Sequence, residues 1–523
     1  MHRLKCLSLE ASLLLAAIWP LATVAAPSLP SSNVAWLPAA ADADIDRAFA
    51  LAKAETKPVL LYWGATWCPP CNQLKATLFN RQDFAAQSKS FVAVHIDGDR
   101  PAAQKLGARF KVGGYPTLIL FTPGGSEITR LPGEADAPQV MALLQAGLAG
   151  GRPIAAVLAE ARAGKPITAN EWRMLSFHSW EIDESGLVEK ADRPAVLVEL
   201  ASKSQAQGRG DSETTTRLWL KALAASDDGK GVKPDAALRQ RVQRVLADAA
   251  LSRTHMDVLI NGAPDIVKVL SGDDSADRAP LVTQFDTALT RLQADASLSR
   301  GDRVSALMAR VDLARLGQPK DATKPNLAPA LVQEVREMSA RMDREISDGY
   351  ERMAVITSLA YLQGQAGLWA DSDGLLKANL AKTHSPYYLM SQLGSNARKL
   401  GKKEEALAWY RQAYDKSEGP ATRLQWGSSY IAALVDLAPA DASRIEKAVS
   451  QLFTEAARDK GAFHDRSARS LQRVGKKIGS WNADGKHAAT VKRLQAQLNG
   501  VCAKVEAADG QRATCAAVLP RKS

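Results

Sequence analysis

A short stretch between an apolar segment and an amphipathic one constrains this chain most. Residues 58–63 (Pro-Val-Leu-Leu-Tyr-Trp) are apolar and aromatic over a length typical of a buried strand. Residues 64–66 (Gly-Ala-Thr) favour a turn, and Leu74 and Leu78 have the spacing of one helix face. The cysteines of residues 67–71 (Trp-Cys-Pro-Pro-Cys) are therefore predicted to lie where a strand gives way to a helix.

That position favours sulfur chemistry. A helix N-terminus presents free N–H groups and partial positive charge, and both stabilise a thiolate, the attacking species in disulfide exchange. We expect Cys68 to be the exposed nucleophile and Cys71 the buried resolving thiol. Pro69 and Pro70 suit the first helical turn, where a missing N–H costs no internal bond. Because they remove donors, we expect the Cys68 thiolate to be less stabilised than in the strongest thiol oxidants.

Two other interpretations of the cysteine pair are less favoured. The pair could be half of a zinc site, but the sequence holds no second Cys-x-x-Cys and no His-x-x-x-His to complete it. It could be a purely structural disulfide, but so short a ring restricts the unfolded chain little. A redox centre that needs no metal and no cofactor is favoured.

Residues 56–146 resemble a thioredoxin domain. The resemblance rests on the motif at 67–71 and on residues 113–121 (Gly-Gly-Tyr-Pro-Thr-Leu-Ile-Leu-Phe), which resemble the family's cis-proline loop and the strand after it. The spacing from Trp36 through a helix to Lys57-Pro58 and the cysteines is most similar to the C-terminal domain of the periplasmic reductase DsbD and its relatives.

The resemblance implies an α/β thioredoxin-like fold and a function. It implies that the Tyr115–Pro116 bond is cis and faces the Cys68 sulfur, that Tyr115 and Pro116 shape the substrate groove, and that Trp67 shields the sulfur pair. The implied partners are protein thiols or disulfides and a redox partner that supplies or removes electrons.

Two positions depart from the family pattern. Thioredoxins usually carry a buried aspartate six residues before the nucleophile, and here that residue is Tyr62. The lysine position on the next strand is Ala93. Another acid, or water, would have to move the proton of the resolving thiol. His95 on the same predicted strand is interpreted as structural.

The chain begins with the features of a secretory signal. Arg3 and Lys5 precede an apolar run at 11–19 that is too short to span a bilayer, and small residues follow at 23–25. We expect 1–25 to be a signal peptide that removes Cys6, and 26–43 to be a linker. An exported, periplasmic protein without a transmembrane span would keep four cysteines.

The predicted thioredoxin-like domain covers 44–150, and the pattern then becomes almost entirely helical. We expect a helical region at 151–345 and a tetratricopeptide-like helical-repeat region, or α-solenoid, at 346–500. The repeat is indicated by residue pairs 34 positions apart, such as Leu359 and Leu393. In the second copy, Gly394 and Ala406 are the small residues that let two helices approach. Large aromatic residues of this region, Trp426 among them, are interpreted as core.

The tail, 501–523, carries Cys502 and Cys515. A disulfide between them is interpreted as a structural staple, and the alternative is an internal substrate or relay for Cys68. The formal net charge is +11, spread without a dense basic run or interleaved aromatics, so nucleic acid is not an expected partner.

The sequence thus favours an exported thiol–disulfide oxidoreductase, reductase-leaning by resemblance, whose helical repeats choose the partner. Oxidase or isomerase activity stays open, because direction depends on the redox partner as well as on the potential. The alternative from another class is a scaffold or chaperone-like protein in which the thioredoxin-like domain is only a docking unit.

Overall fold

The structure is a computed structural model, and it describes residues 34–133, 135–180, 185–209, 212–226, 231–272, 275–507 and 510–519. The predicted signal peptide and residues 26–33 of the predicted linker lie outside the described residues. Among the described residues, no helix is long and apolar enough to cross a membrane.

Five strands form one mixed sheet in the order β1-β3-β2-β4-β5. Both β1 and β2 run parallel to β3, whereas β4 is antiparallel to β2 and β5 is antiparallel to β4. The strands are β1 Leu37–Ala39, β2 Val59–Gly64, β3 Val92–Asp97, β4 Thr117–Phe121 and β5 Glu127–Leu131. The central strand β2 is the one that leads into the cysteine motif.

Helices cover both faces of this sheet. Along β2, Leu61 and Trp63 belong to one buried cluster, and Leu60 and Tyr62 belong to the other, because successive strand residues point to opposite faces. The helices are α1 Asp42–Ala54, α2 Pro69–Leu74 (which continues as a π-helical turn, Lys75–Phe79), α3 Gln82–Gln87, α4 Ala103–Arg109 and α5 Ala137–Leu148, with a 3-10 turn at Ser88–Ser90. The predicted α/β order is confirmed.

The first strand and helix of this domain lie close together in the chain. Helix α1 begins at Asp42, and its N-cap position is Ala41. Asp44 also serves the helix start, because its carboxylate accepts the N–H groups of Ala40 and Ala41 at 2.9 and 3.0 Å. Strand β1 lies within the predicted linker.

After residue 153, every regular element among the described residues is helical. The α-helices are α6 Ile154–Arg162, α7 Ala169–Phe177, α8 Arg193–Ser204, α9 Glu213–Ala225, α10 Ala236–Ala247, α11 Ala249–Thr254, α12 Met256–Ser271, α13 Ser275–Ala294, α14 Arg300–Ala314, α15 Pro329–Glu345, α16 Gly349–Gln365, α17 Trp369–Asn379, α18 Pro386–Lys399, α19 Lys403–Lys416, α20 Pro420–Leu437, α21 Ala442–Ala456, α22 Asp465–Trp481, α23 Ala488–Cys502 and α24 Gln511–Ala516. Shorter helical turns lie at Gln205–Arg209 and Leu380–Lys382.

Helices α18 and α19 pack closely where the sequence has small residues. A Cβ added at Gly394 would lie 3.1 Å from the Tyr410 ring, and Ala406 and Ala413 are buried. The small residues therefore let the two helices approach, as the 34-residue period predicts. The assignment of these helices to the tetratricopeptide family stays a prediction.

A fully buried ion pair joins α9 to α12. Both oxygens of Asp257 accept hydrogen bonds from the Arg217 guanidinium, which also donates to the Ser176 carbonyl at 3.1 Å. The guanidinium lies 3.5 Å from the centre of the Phe177 ring. Removing one member of such a pair leaves the other charge buried and uncompensated.

Asp257→Asn should therefore lower the free energy of unfolding by about 3–5 kcal/mol, the usual cost of breaking a buried pair. Urea denaturation measures it. The control is Asp83→Asn, which removes an exposed pair with Arg81 and should cost less than about 1 kcal/mol. Equal losses in the two variants would contradict a special role for the buried pair.

The tail is fastened by a disulfide between Cys502 and Cys515, whose Cα atoms are 5.6 Å apart. Cys515 is fully buried, and α22 has a glycine, Gly475, where a Cβ would collide with the Val518 carbonyl oxygen. The tail therefore packs closely on α22, as a structural staple requires.

Cys515→Ser should lower the free energy of unfolding by about 3 kcal/mol, because a loop of this size is no longer closed in the unfolded chain. The thiol chemistry of Cys68 should be unaffected. The relay alternative makes the opposite prediction, that Cys68→Ser changes the oxidation state of Cys502 and Cys515, which thiol labelling and mass spectrometry measure.

Candidate active site

The cysteine pair lies at the carboxyl end of β2, where α2 begins. Cys68 is the N-cap residue of α2, Pro69 and Pro70 occupy its first positions, and Cys71 follows in the same turn. The two cysteines form a disulfide, with their Cα atoms 5.2 Å apart. The backbone N–H of Cys71 donates to the Cys68 sulfur at 3.1 Å. This is the strand-to-helix position that the sequence predicts.

Asn72 fixes the turn that carries Cys68. Its side-chain amide donates to the carbonyl oxygens of Thr66 and Cys68, both at 2.8 Å. The two prolines cannot donate, so Cys71 supplies the first N–H within this turn that reaches the sulfur. Within this turn the Cys68 sulfur thus accepts from the N–H of Cys71, and the weaker stabilisation of its thiolate stays a prediction.

The Tyr115–Pro116 peptide bond is cis and leads into β4. Pro116 lines a cavity of about 560 Å³ together with Pro69 and Pro70, so the loop lies beside the cysteine motif. The Tyr115 ring packs against Trp67, with their centroids 5.9 Å apart, and its hydroxyl accepts a hydrogen bond from Gln104 at 3.0 Å. The structure therefore brings together all the predicted motif and groove residues.

The expectation that Cys68 is exposed was wrong. Cys68 is 2% exposed, Cys71 is fully buried and Trp67 is 8% exposed. The physical reason lies far along the chain, since helices of the region after residue 290 pack directly on the motif.

One set of contacts holds the indole of Trp67. Its Nε1–H donates to the Thr422 hydroxyl at 2.8 Å and to an Asp99 carboxylate oxygen at 2.7 Å. Tyr388 stacks on the ring at a centroid distance of 5.9 Å, and Trp426 lies against it at 5.3 Å. Trp426 is buried, as the sequence suggested, but it is buried against the cysteine motif.

Arg466 of α22 completes this side. Its guanidinium lies 5.1 Å from the centre of the Trp67 ring and 4.9 Å from that of Tyr115, within cation–π range. It also forms an ion pair with Asp99 at 2.7 Å. Asp99 therefore binds both the motif tryptophan and the arginine above it.

A second set of contacts holds the helix after the cysteines. The Gln73 amide donates to the Ser299 hydroxyl at 2.5 Å, and the Lys75 ammonium lies 5.1 Å from the centre of the Tyr350 ring. The Nε2–H of His384 donates to the Thr66 carbonyl at 3.0 Å. Sequence reasoning missed all of these partners, because no local pattern marks a residue that contacts another several hundred positions away.

A buried layer of titratable side chains lies among these elements. Tyr62, at the position where the family carries an aspartate, stacks on His95 with centroids 4.8 Å apart. Burial lowers the pKa of His95 to about 4 and lowers that of Lys75. Burial, with repulsion from Asp99, raises the pKa of Asp97. His95 is thus neutral near pH 7, and burial disfavours the charged forms of Lys75 and Asp97.

The comparisons agree with this geometry. A family model described as a thioredoxin-like domain matches residues 45–148. Residues 45–148 are a thioredoxin-like domain. Among curated proteins, the thiol:disulfide interchange protein DsbD 2 of Pseudomonas aeruginosa is 36% identical over 120 residues, which are 22% of this chain and 20% of that protein. DsbD 1 of the same organism is 32% identical over 112 residues, 21% of this chain and 19% of that protein.

A solution structure of a thioredoxin from Thermus thermophilus is also similar, at 26% identity over 22% of this chain and 85% of that one, with a TM-score of 0.19. The chain spans about a fifth of the length of the curated relatives it matches. The similarity to these curated relatives thus concerns the thioredoxin-like domain.

The free energy of unfolding should fall as the pH falls from 6.5 towards 4. In this window the unfolded chain protonates His95 and the folded protein does not, because the folded pKa is lowered to about 4. His255 is buried with a pKa lowered to about 4 and acts in the same direction. The stability that neutral His95 contributes is therefore present above pH 6.5 and lost below it.

His95→Gln should reduce the slope of the free energy of unfolding against pH by up to about 1.4 kcal/mol per pH unit. This is the slope that one proton bound only by the unfolded chain produces. Urea denaturation at pH 7, 6 and 5 measures it. His487→Gln, at a partly exposed site, is the matched control, and equal pH profiles for the two variants would contradict the assignment to His95.

Proposed function

We propose that the cysteine pair is the centre of a thiol–disulfide oxidoreductase. The observation that carries the proposal is the Cys68–Cys71 pair at the start of α2, beside a cis proline, in a thioredoxin-like domain. A helix start lowers the pKa of a thiol and makes it a nucleophile at neutral pH. Two thiols that close into a disulfide carry two electrons without a cofactor.

In the reducing direction, the Cys68 thiolate attacks one sulfur of a substrate disulfide. A bond forms between that sulfur and Cys68, and the other substrate sulfur leaves as a thiolate that takes up a proton. Cys71 then loses its proton and attacks Cys68, which releases the second substrate thiolate. The substrate disulfide gains two electrons and becomes two thiols, and the dithiol becomes the Cys68–Cys71 disulfide.

A redox partner must return two electrons before the next cycle. The similarity to DsbD proteins supports a reductase with protein thiols or disulfides as substrates and an exported, periplasmic location. Tyr62 stands in place of an aspartate, so the family's proton handling does not carry over, and the direction depends on the potential as well as on the redox partner. Equilibration with glutathione measures it, with a value near about −270 mV expected for a reductase and near about −120 mV for an oxidase.

Reduced protein should reduce the small disulfide dithiobis-nitrobenzoate, and Cys68→Ser should reduce it no faster than buffer. Absorbance of the released aromatic thiol measures the rate. Cys515→Ser, which removes a different cysteine, should retain the rate. A Cys68→Ser rate equal to that of the parent chain would rule out the proposed nucleophile.

The same proposal predicts a trapped intermediate. Cys71→Ser cannot release substrate from Cys68, so it should accumulate a mixed disulfide whose mass identifies the protein partner.

One observation favours a second candidate, a scaffold in which the domain is a docking unit. Trp67 and Cys68 are buried against the helical region, as residues of a fixed interface would be. In that case Cys71→Ser would support the full function of the protein in cells, whereas an oxidoreductase would lose it.

A further inference from the structure

The helical region encloses the cysteine motif from two directions. Helices α18, α20 and α22 hold Trp67 through Tyr388, Thr422 and Arg466. On the other side, residues at the start of α14 and α16 contact α2 and the turn after it. We call the contacts of α18, α20 and α22 with Trp67 the cover.

The contacts of the cover are favourable, but they leave two buried polar groups without a hydrogen bond. The Nε1–H of Trp426 and the Nε–H of Arg466 are buried without a hydrogen-bond partner among the described residues. A buried polar group without a partner is destabilising, and water would satisfy both groups if the surfaces separated. Buried atoms without a partner also lie elsewhere among the described residues, but these two lie on the side chains that contact Trp67, so separation of these surfaces would relieve them.

With the cover closed, a cavity of about 560 Å³ remains beside the motif. Pro69, Pro70 and Pro116 line it on the side of the thioredoxin-like domain, and Met256 and Ile260 line it on the side of α12. This volume suits a small ligand. It does not suit a folded protein, whose specific complexes bury about 800 Å² on each partner.

Resting on the proposed function, we propose that the helical region makes Cys68 selective by size. Cys68 is 2% exposed and neither cysteine lines the cavity, so even a small disulfide needs a local separation of the cover to reach the sulfur. Low-molecular-weight disulfides that fit the cavity then exchange with Cys68 by the two-step reaction described above. A disulfide on a folded protein reacts only after α18, α20 and α22 leave Trp67. Thr422 and Arg466 are then specificity-determining residues, although neither takes part in the sulfur chemistry.

The test compares two substrates in the full chain. Insulin represents protein disulfides, and dithiobis-nitrobenzoate represents small ones. The double variant Thr422→Val and Arg466→Ala removes the hydroxyl and the guanidinium that hold Trp67. It should raise the ratio of the insulin rate to the small-disulfide rate about tenfold or more, because the open population grows with each lost contact.

The matched control is the double variant Thr454→Val and Arg493→Ala. It makes the same chemical changes at exposed positions on α21 and α23, where Thr454 bonds Ser450 and Arg493 pairs with Glu446. Its rate ratio should stay that of the parent chain. An unchanged ratio in the cover variant, with its helical circular dichroism intact, would overturn the size selectivity.

A second readout does not depend on turnover. In the Cys71→Ser background, iodoacetamide and a maleimide on a long polyethylene glycol chain both label Cys68. The cover variant should accelerate the large reagent about tenfold relative to the small one. Equal acceleration of both reagents, or acceleration of neither, would contradict the claim that the cover keeps large molecules from Cys68. If no variant reduces either disulfide, the proposed function fails. The labelling rates still show whether the cover controls access to Cys68.

Discussion

The hydrogen bond between the Trp67 indole and the Thr422 hydroxyl joins residues 355 positions apart, and the active-site end of the molecule depends on it. The bond places the motif tryptophan under Tyr388 and Trp426 and beside Arg466. The resemblance implies that this ring shields the sulfur pair. The same ring is also the point at which the helical region docks.

This double use explains why the site is buried while its local geometry remains suited to disulfide exchange. The helix start, the two prolines and the cis proline are set within residues 59–121. Helices beyond residue 290 bury the cysteine pair. The local geometry and the burial of the pair thus come from distant parts of the sequence, and Trp67 belongs to both.

The sequence predicted the parts that depend on local physical chemistry. The apolar run of β2, the helical spacing after Cys71 and the proline loop before β4 are short-range patterns with direct structural causes. Small residues such as Gly394 likewise revealed a close helix pair. The burial of Cys68 was not predictable in this way, because it depends on contacts made by Thr422, Arg466 and Ser299, and none of these residues carries a local signal.

Tyr62 shows a second limit of prediction from the sequence. Its departure from the family pattern was visible in the sequence, but its consequence was not. The ring stacks on His95 and lies in one layer with Lys75 and Asp97, so an aromatic and partly neutral layer replaces a single acid.

The long separation between Trp67 and its partners has a consequence for how the chain matures. Asp99 pairs with Arg466 across 367 positions, so this contact cannot form until nearly nine-tenths of the polypeptide has been synthesised. A newly made chain therefore passes through a stage in which its thiols are open to other molecules. Oxidation of the pair during that interval would take place before the helical region buries Cys68.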